Sequence, residues 1–201
     1  MKDTRLTWLI TLCLTALISG ASVAQETEES GETDSTPEEI VWATPALVTT
    51  VGRADGSIVD VICRRASIGS ELVEEVQAEN LEGIATLIVA MGGSANCLAA
   101  AGVDAATEAE RGEAVLAMAA AAHVKILGVH VGGAPRRGEL SDDLCELVAD
   151  AADALIVKSG GNEDDFFTAI AERRGIPLIE VETNAEVIAA LEGLFGVTGT
   201  Q

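Results

Sequence analysis

Three glycine pairs, Gly92-Gly93, Gly132-Gly133 and Gly160-Gly161, stand at the ends of three short apolar runs, Thr86–Met91, Ile126–Val131 and Ala154–Lys158. Runs this short and this uniformly apolar read as strands with no wet face. A repeated strand, glycine-rich turn and helix builds an open α/β sheet, and such sheets hold their ligands in a crevice at the carboxyl ends of the strands. The glycine pairs therefore say where a site would lie, without saying what happens there.

The rest of the chain fits that frame. Ala46–Val51 is a β-rich run that ends at Gly52, and Asp55-Gly56-Ser57 makes a turn. Ile58–Arg65 reads as a helix, and Ile68–Gln77 as either an edge strand or helix. Thr107 to Ala122 is a helix opened by the pattern Thr107-x-x-Glu110. Ser141, Asn162 and Asn184 are placed to cap three further helices ending near Ala149, Arg174 and Phe195. Leu178–Val181 is a last strand. The expected fold is a three-layer α/β domain: a mostly parallel sheet of five to six strands with helices on both faces, in a flavodoxin-like or Rossmann-like order.

Residues 1–24 read as a signal peptide: Lys2 and Arg5 form a basic start, Leu6–Ile18 an apolar core, and Ser22-Val23-Ala24 a small-residue cleavage site. The competing reading is an uncleaved anchor, since Leu6–Ala24 is almost long enough to span a bilayer. Export, with no stable membrane insertion after cleavage, is the expectation. Residues 25–39 carry seven acids and no apolar period, and read as a disordered linker. Residues 40–196 then form one domain, and 197–201 a short tail.

The formal net charge is −21, and only Lys125 and Lys158 supply lysine after the leader. An acid-rich, lysine-poor surface suits high salt, where screening removes self-repulsion, so a halophilic source explains the charge best. Nucleic acid is excluded as a partner, because there is no basic stripe and no aromatic interleaving. Cys63, Cys97 and Cys145 remain after the leader, too few for a disulfide scaffold.

Two loops carry the candidate chemistry. Gly92, Gly93, Ser94 and Asn96 could turn backbone N–H groups and side-chain donors toward an oxyanion; the plainer reading is that these glycines let the chain turn and pack closely. His130, Gly132, Gly133, Arg136 and Arg137 form the second. Arginine forks suit carboxylate or phosphate, and Arg53 and Lys158 would add to the same edge; alternatively Arg136 and Arg137 answer Glu139, Asp142 and Asp143. Neither loop holds G-x-G-x-x-G, a phosphate-loop lysine or a nucleophile elbow, so no cofactor is expected. Asp142, Asp164 and Asp165 lack the spacing of a magnesium site, and Cys97, Cys145 and His130 that of zinc, so no metal is expected either.

The runs Thr86–Ser94, Ala100–Asp104 and Gly128–Gly133, with Arg136-Arg137-Gly138, resemble the DUF6305 family of exported bacterial α/β proteins. The resemblance covers about Pro45 to Phe195 and implies a leader followed by one α/β domain. It implies no catalytic residues, since the family carries no established activity. Asn96-Cys97-Leu98 departs from the basic, glycine-rich stretch expected there, and the leader lacks a lipobox cysteine.

Three functions are weighed. The first is an exported module binding a small anionic or polar solute at the glycine loops. The second is a hydrolase or transferase using Ser94 or Cys97 with His130, and the third a non-catalytic partner-binding domain. Binding ranks first because no nucleophile–base–acid set is complete.

Overall fold

A computed structural model describes residues 41–197; the leader, the acidic linker and residues 198–201 lie outside them. The element order is β1 (Ala46–Val51), α1 (Gly56–Arg65), β2 (Ser70–Leu72), β3 (Thr86–Met91), α2 (Ala95–Ala101), α3 (Ala105–Ala121), β4 (Lys125–His130), α4 (Glu139–Ala151), β5 (Ala154–Lys158), α5 (Phe166–Arg174), β6 (Leu178–Val181) and α6 (Asn184–Phe195). The six strands form one sheet in the order β2-β1-β3-β4-β5-β6, and every neighbouring pair is parallel. The three-layer reading holds, in flavodoxin-like order.

Strand alternation divides the core. Leu47, Val51, Leu87, Val89 and Met91 point to one face, where Val115 of α3, Leu144 of α4 and Phe167 of α5 cover them. Val48, Ile88, Ala90, Leu127, Val129 and Ile156 point to the other, under Val59 and Ile62 of α1 and Val187 and Leu191 of α6. β1 and β3 are buried at every position, which is why their sequence shows no alternation of polarity.

Helix starts are where the sequence reading needs correction. Asp104 caps α3, accepting from Thr107 N at 2.8 Å, so Thr107 is the donor to the cap and not the cap itself. Thr183 caps α6 in place of Asn184. Gly138 precedes α4, which leaves Ser141 inside the helix with its hydroxyl free for a tertiary contact. Asn162 stands four residues before α5, yet its Oδ1 still accepts from Phe167 N at 2.8 Å. For α3 and α6 a polar side chain one to three residues earlier serves the first-turn backbone donors, whereas α4 begins with no side-chain cap. The ambiguous stretch after Ile68 contains the edge strand β2, and the loop expected around Gly92, Gly93, Ser94 and Asn96 runs into α2, which includes Asn96.

Candidate functional site

Strand order reverses between β1 and β3, and ligands in such sheets enter at that point. Here protein fills the gap. Gly52 follows β1 with φ +103°, and its backbone lies directly on Gly92 and Gly93, with an antiparallel bridge between Arg53 and Gly93. Glu108, fully buried on α3, reaches into the turn: Oε1 accepts from Gly52 N at 2.9 Å and Oε2 from Arg53 Nε at 2.7 Å. Arg111 closes the cluster, giving Nη2 to Glu108 at 2.6 Å and to the carbonyl of Thr50 at 2.5 Å. Burial alone would raise the Glu108 pKa, but donors from Arg111, Gly52 and Arg53 outweigh it and hold the carboxyl below its ordinary value.

The β3 loop is tied down from the other side. Gly93 N donates to Ser141 Oγ at 2.7 Å, and Ser141 donates onward to the carbonyl of Arg136 at 2.5 Å. The Gly93 amide is thus satisfied internally, and a Cβ at that residue would press on Leu140. Close packing accounts for glycine at position 93, while Gly92 is set apart by its φ of +141°.

Arg137 is a structural cross-link. Its guanidinium meets Asp142 at 2.7 Å and Asp164 at 2.9 Å, donates to the carbonyl of Gly161, and lies 4.2 Å over the ring of Phe166. Burial opposes the charge, but Asp164 and Asp142 more than offset it and hold the guanidinium pKa above its ordinary value. Arg136 is held differently: its Nε lies 3.3 Å from Asp55 Oδ2, close enough for attraction but not aligned for a hydrogen bond. Arg53 and Lys158 lie on the same carboxyl edge but two strands apart, each in its own surroundings: Arg53 pairs with Glu108 and Glu75, and Lys158 lines the cleft described below.

His130 has no exposed surface. Nδ1 lies 3.0 Å from the carbonyl of Met91 and Nε2 3.3 Å from that of Gly133, with Cys145 Sγ 3.9 Å from Nδ1 and the Phe167 ring 5.1 Å away. Neither Ser94 nor Cys97 is among its hydrogen-bond partners. The ring joins the end of β3 to the loop after β4, and Gly161 approaches so closely that a Cβ there would lie 2.6 Å from the imidazole. Burial lowers the His130 pKa more than the two carbonyls raise it. Burial likewise pushes the Cys145 thiol up to about 12 and Cys63 up to about 11, so both are inert thiols at neutral pH.

The open space lies farther along the same edge. A cleft of about 610 Å³ runs over the carboxyl ends of β4, β5 and β6, with Gly132, Gly133 and Gly160 at its wall. Lys158, Asn162, Glu163, Glu180 and Glu182 supply its polar groups. Asn162 is fixed there by donating to Glu180 at 2.8 Å. Gly160 is informative, because a Cβ on it would meet nothing nearer than Ala134 N at 3.9 Å. The surrounding protein does not require glycine at that position.

A family model described as a domain of unknown function, DUF6305, matches residues 43–195. The chain belongs to the DUF6305 family. Neither the curated proteins nor the solved structures compared with it give a match.

In this DUF6305 domain the nine expected contact residues all fall at the carboxyl ends of β3 and β4, but only Gly132 and Gly133 line the cleft. Glu108, Ser141, Cys145 and Asp55 were missed as parts of this edge. Glu108 had a visible signal, since it shares the buried stripe of α3 with Gly112, Val115 and Ala119, where an acid needs a partner. Asp142 and Asp164 are bridged by Arg137, and no group of three metal-ligating side chains occurs among the described residues. No described helix is long and apolar enough to cross a membrane.

The buried imidazole makes a pH prediction. The unfolded chain binds a proton at His130 near pH 6.5, while the native site resists it, so stability falls as pH drops from that value toward the lower native pKa. Urea midpoints measured between pH 7.5 and 5 should decline in the native chain and stay flatter in His130→Gln. Parallel curves would show that the ring is not the proton acceptor.

Proposed function

We propose that the domain binds a small polar solute in the cleft above β4, β5 and β6. The observation that carries this is the cleft itself: about 610 Å³ is within the size range of small-molecule sites, and it lies at the strand ends where open α/β sheets bind ligands. Its groups are mixed, one lysine facing three glutamates and an amide. They suit a hydroxyl-rich or amphoteric solute better than a simple anion, the more so because Arg137 is engaged by Asp142 and Asp164. Binding is favoured over a Ser94 or Cys97 hydrolase because both His130 nitrogens face backbone carbonyls. The basic start, apolar core and small-residue site of residues 1–24 support a location outside the cytoplasm for this binding.

The test is a thermal-shift screen of sugars, amino acids, small carboxylates, sugar phosphates and divalent cations in molar salt, with Gly160→Val alongside. A solute at about a hundred times its dissociation constant stabilises by about 2.7 kcal/mol, or roughly 5–11 °C for a domain of this size. We expect such a shift in the native chain and its loss in Gly160→Val, whose added side chain stands at the cleft wall with only Ala134 N within 4 Å of its Cβ. No shift in folded protein would sink the cleft as a binding site and favour the partner-binding reading.

A further inference from the structure

Lysine and glutamate share the cleft over β4, β5 and β6 without pairing. Among the described residues Lys158 has no salt-bridge partner, although Glu163, Glu180 and Glu182 line the same space. Strand alternation supplies the reason. In register, Lys158 stands beside Val181, which packs toward α1 and α6, whereas Glu180 stands beside Val157, which packs toward α3, α4 and α5. The two side chains therefore leave the sheet end on opposite faces and meet the cleft from opposite sides.

Glu180 is held in place by a buried partner. Asn162 has its whole hydrogen-bonding capacity spent within the protein: Oδ1 accepts from Phe167 N at 2.8 Å and Thr168 N at 3.3 Å, and Nδ2 donates to Thr168 Oγ1 at 2.9 Å and Glu180 Oε2 at 2.8 Å. The amide is thus a positioning group and not a solute contact. Glu180 Oε1 has no protein donor among the described residues and is left to accept from a solute.

These surroundings narrow the solute. A sugar is held by neutral donors and acceptors and by aromatic faces, yet the amide is already used and no lining residue is aromatic. A simple anion would meet three carboxylates. A divalent cation would need those carboxylates to converge, and no group of three metal-ligating side chains occurs among the described residues. A molecule carrying both an ammonium and a carboxylate matches both sides of the cleft, through one charge-assisted contact at each.

We propose that the cleft takes a free amino acid or a similar small zwitterion. Glu180, positioned by Asn162, accepts from its ammonium, and Lys158 holds its carboxylate. The inference rests on the cleft being a binding site, as proposed above.

Isothermal titration calorimetry of the full chain, at low and molar salt, tests this. The free amino acids are titrated one by one, followed by the N-acetyl and carboxamide forms of the tightest, with sorbitol and succinate for comparison. At least one free amino acid should bind, and blocking either of its ends should weaken it by about tenfold or more. Glu180→Gln should weaken the free amino acid to the same degree and leave the N-acetyl form as it was. Lys158→Gln should weaken the free amino acid and leave the carboxamide form as it was. Both residues lie outside the core, and far-ultraviolet circular dichroism confirms that each variant is folded. Binding of sorbitol or succinate, with no free amino acid bound, overturns the inference and leaves the cleft standing as a site. No binding of any compound to the folded chain overturns both. Amino-acid binding that the blocked ends or the two substitutions leave unchanged also overturns the inference, since the cleft is then not reading the two charges.

Discussion

Gly52→Ala is expected to destabilise the domain by about 3–5 kcal/mol, lowering its thermal midpoint by roughly 10 °C. Two effects add. The residue sits at φ +103°, which a side chain resists, and the new Cβ would overlap the carbonyl of Gly92. That neighbour is backbone held by the Arg53–Gly93 bridge and by Ser141, so it cannot step aside cheaply. Gly69→Ala is the control, since a Cβ there has nothing within 4 Å and the backbone is not left-handed. Thermal unfolding followed by circular dichroism should show Gly69→Ala near the native chain and Gly52→Ala far below it. If both behave alike, the loops after β1 and β3 are not packed as described.

Glu108→Ala should cost a similar amount, about 3–5 kcal/mol, because removing the buried carboxylate leaves Arg111 without its counter-charge and Arg53 with only the exposed Glu75. Arg53 and Arg111, at 9% and 14% side-chain exposure, would face each other without their shared carboxylate, and Gly52 N would lose its acceptor. Glu108→Gln keeps the shape and should cost less. The pH dependence carries the sign of a lowered carboxyl pKa: the contribution is complete above pH 4.5 and is lost as pH falls toward the native value. Urea midpoints of the native chain and of Glu108→Gln should therefore converge in acid. A constant gap down to pH 3 would mean that the carboxylate's charge contributes nothing.

Both variants act on one feature, the filling of the reversal point between β1 and β3. In that position many sheets of this order leave an opening, whereas here Gly52, Gly92, Glu108 and Arg111 occupy it. The cleft over β4, β5 and β6 is an open part of the edge. A solute bound there would touch the loop after β4, which His130 and Arg137 join to the rest of the sheet. Ligand binding and the stability of that loop should therefore be linked.

Much of the architecture was legible in the residues. Thr86–Met91, Ala154–Lys158 and Leu178–Val181 were read as strands because apolar run length is a local property. The end of α5 near Arg174 was equally plain, since Gly175 follows it and a left-handed terminus favours glycine. Helix starts were less legible, because Asp104 and Thr107, or Thr183 and Asn184, offer equivalent capping chemistry within reach of the same donors. The arginine pair was visible as unusual, but its two members have different fates. Arg137 pairs with Asp142, as the local reading offered, but only folding brings Asp164 and Phe166 to it.

The sequence by itself determined that this chain forms a parallel α/β sheet with glycine turns at one edge, since strand polarity, turn chemistry and helix ends are written within a few residues of each other. The tertiary structure decided what those turns do. Whether a glycine admits a ligand or another backbone depends on atoms far along the chain: Gly52 meets Gly92, Gly161 meets His130, and Gly160 alone of these meets open space. Proximity of that kind is set by how strands and helices pack, and no local pattern of residues encodes it.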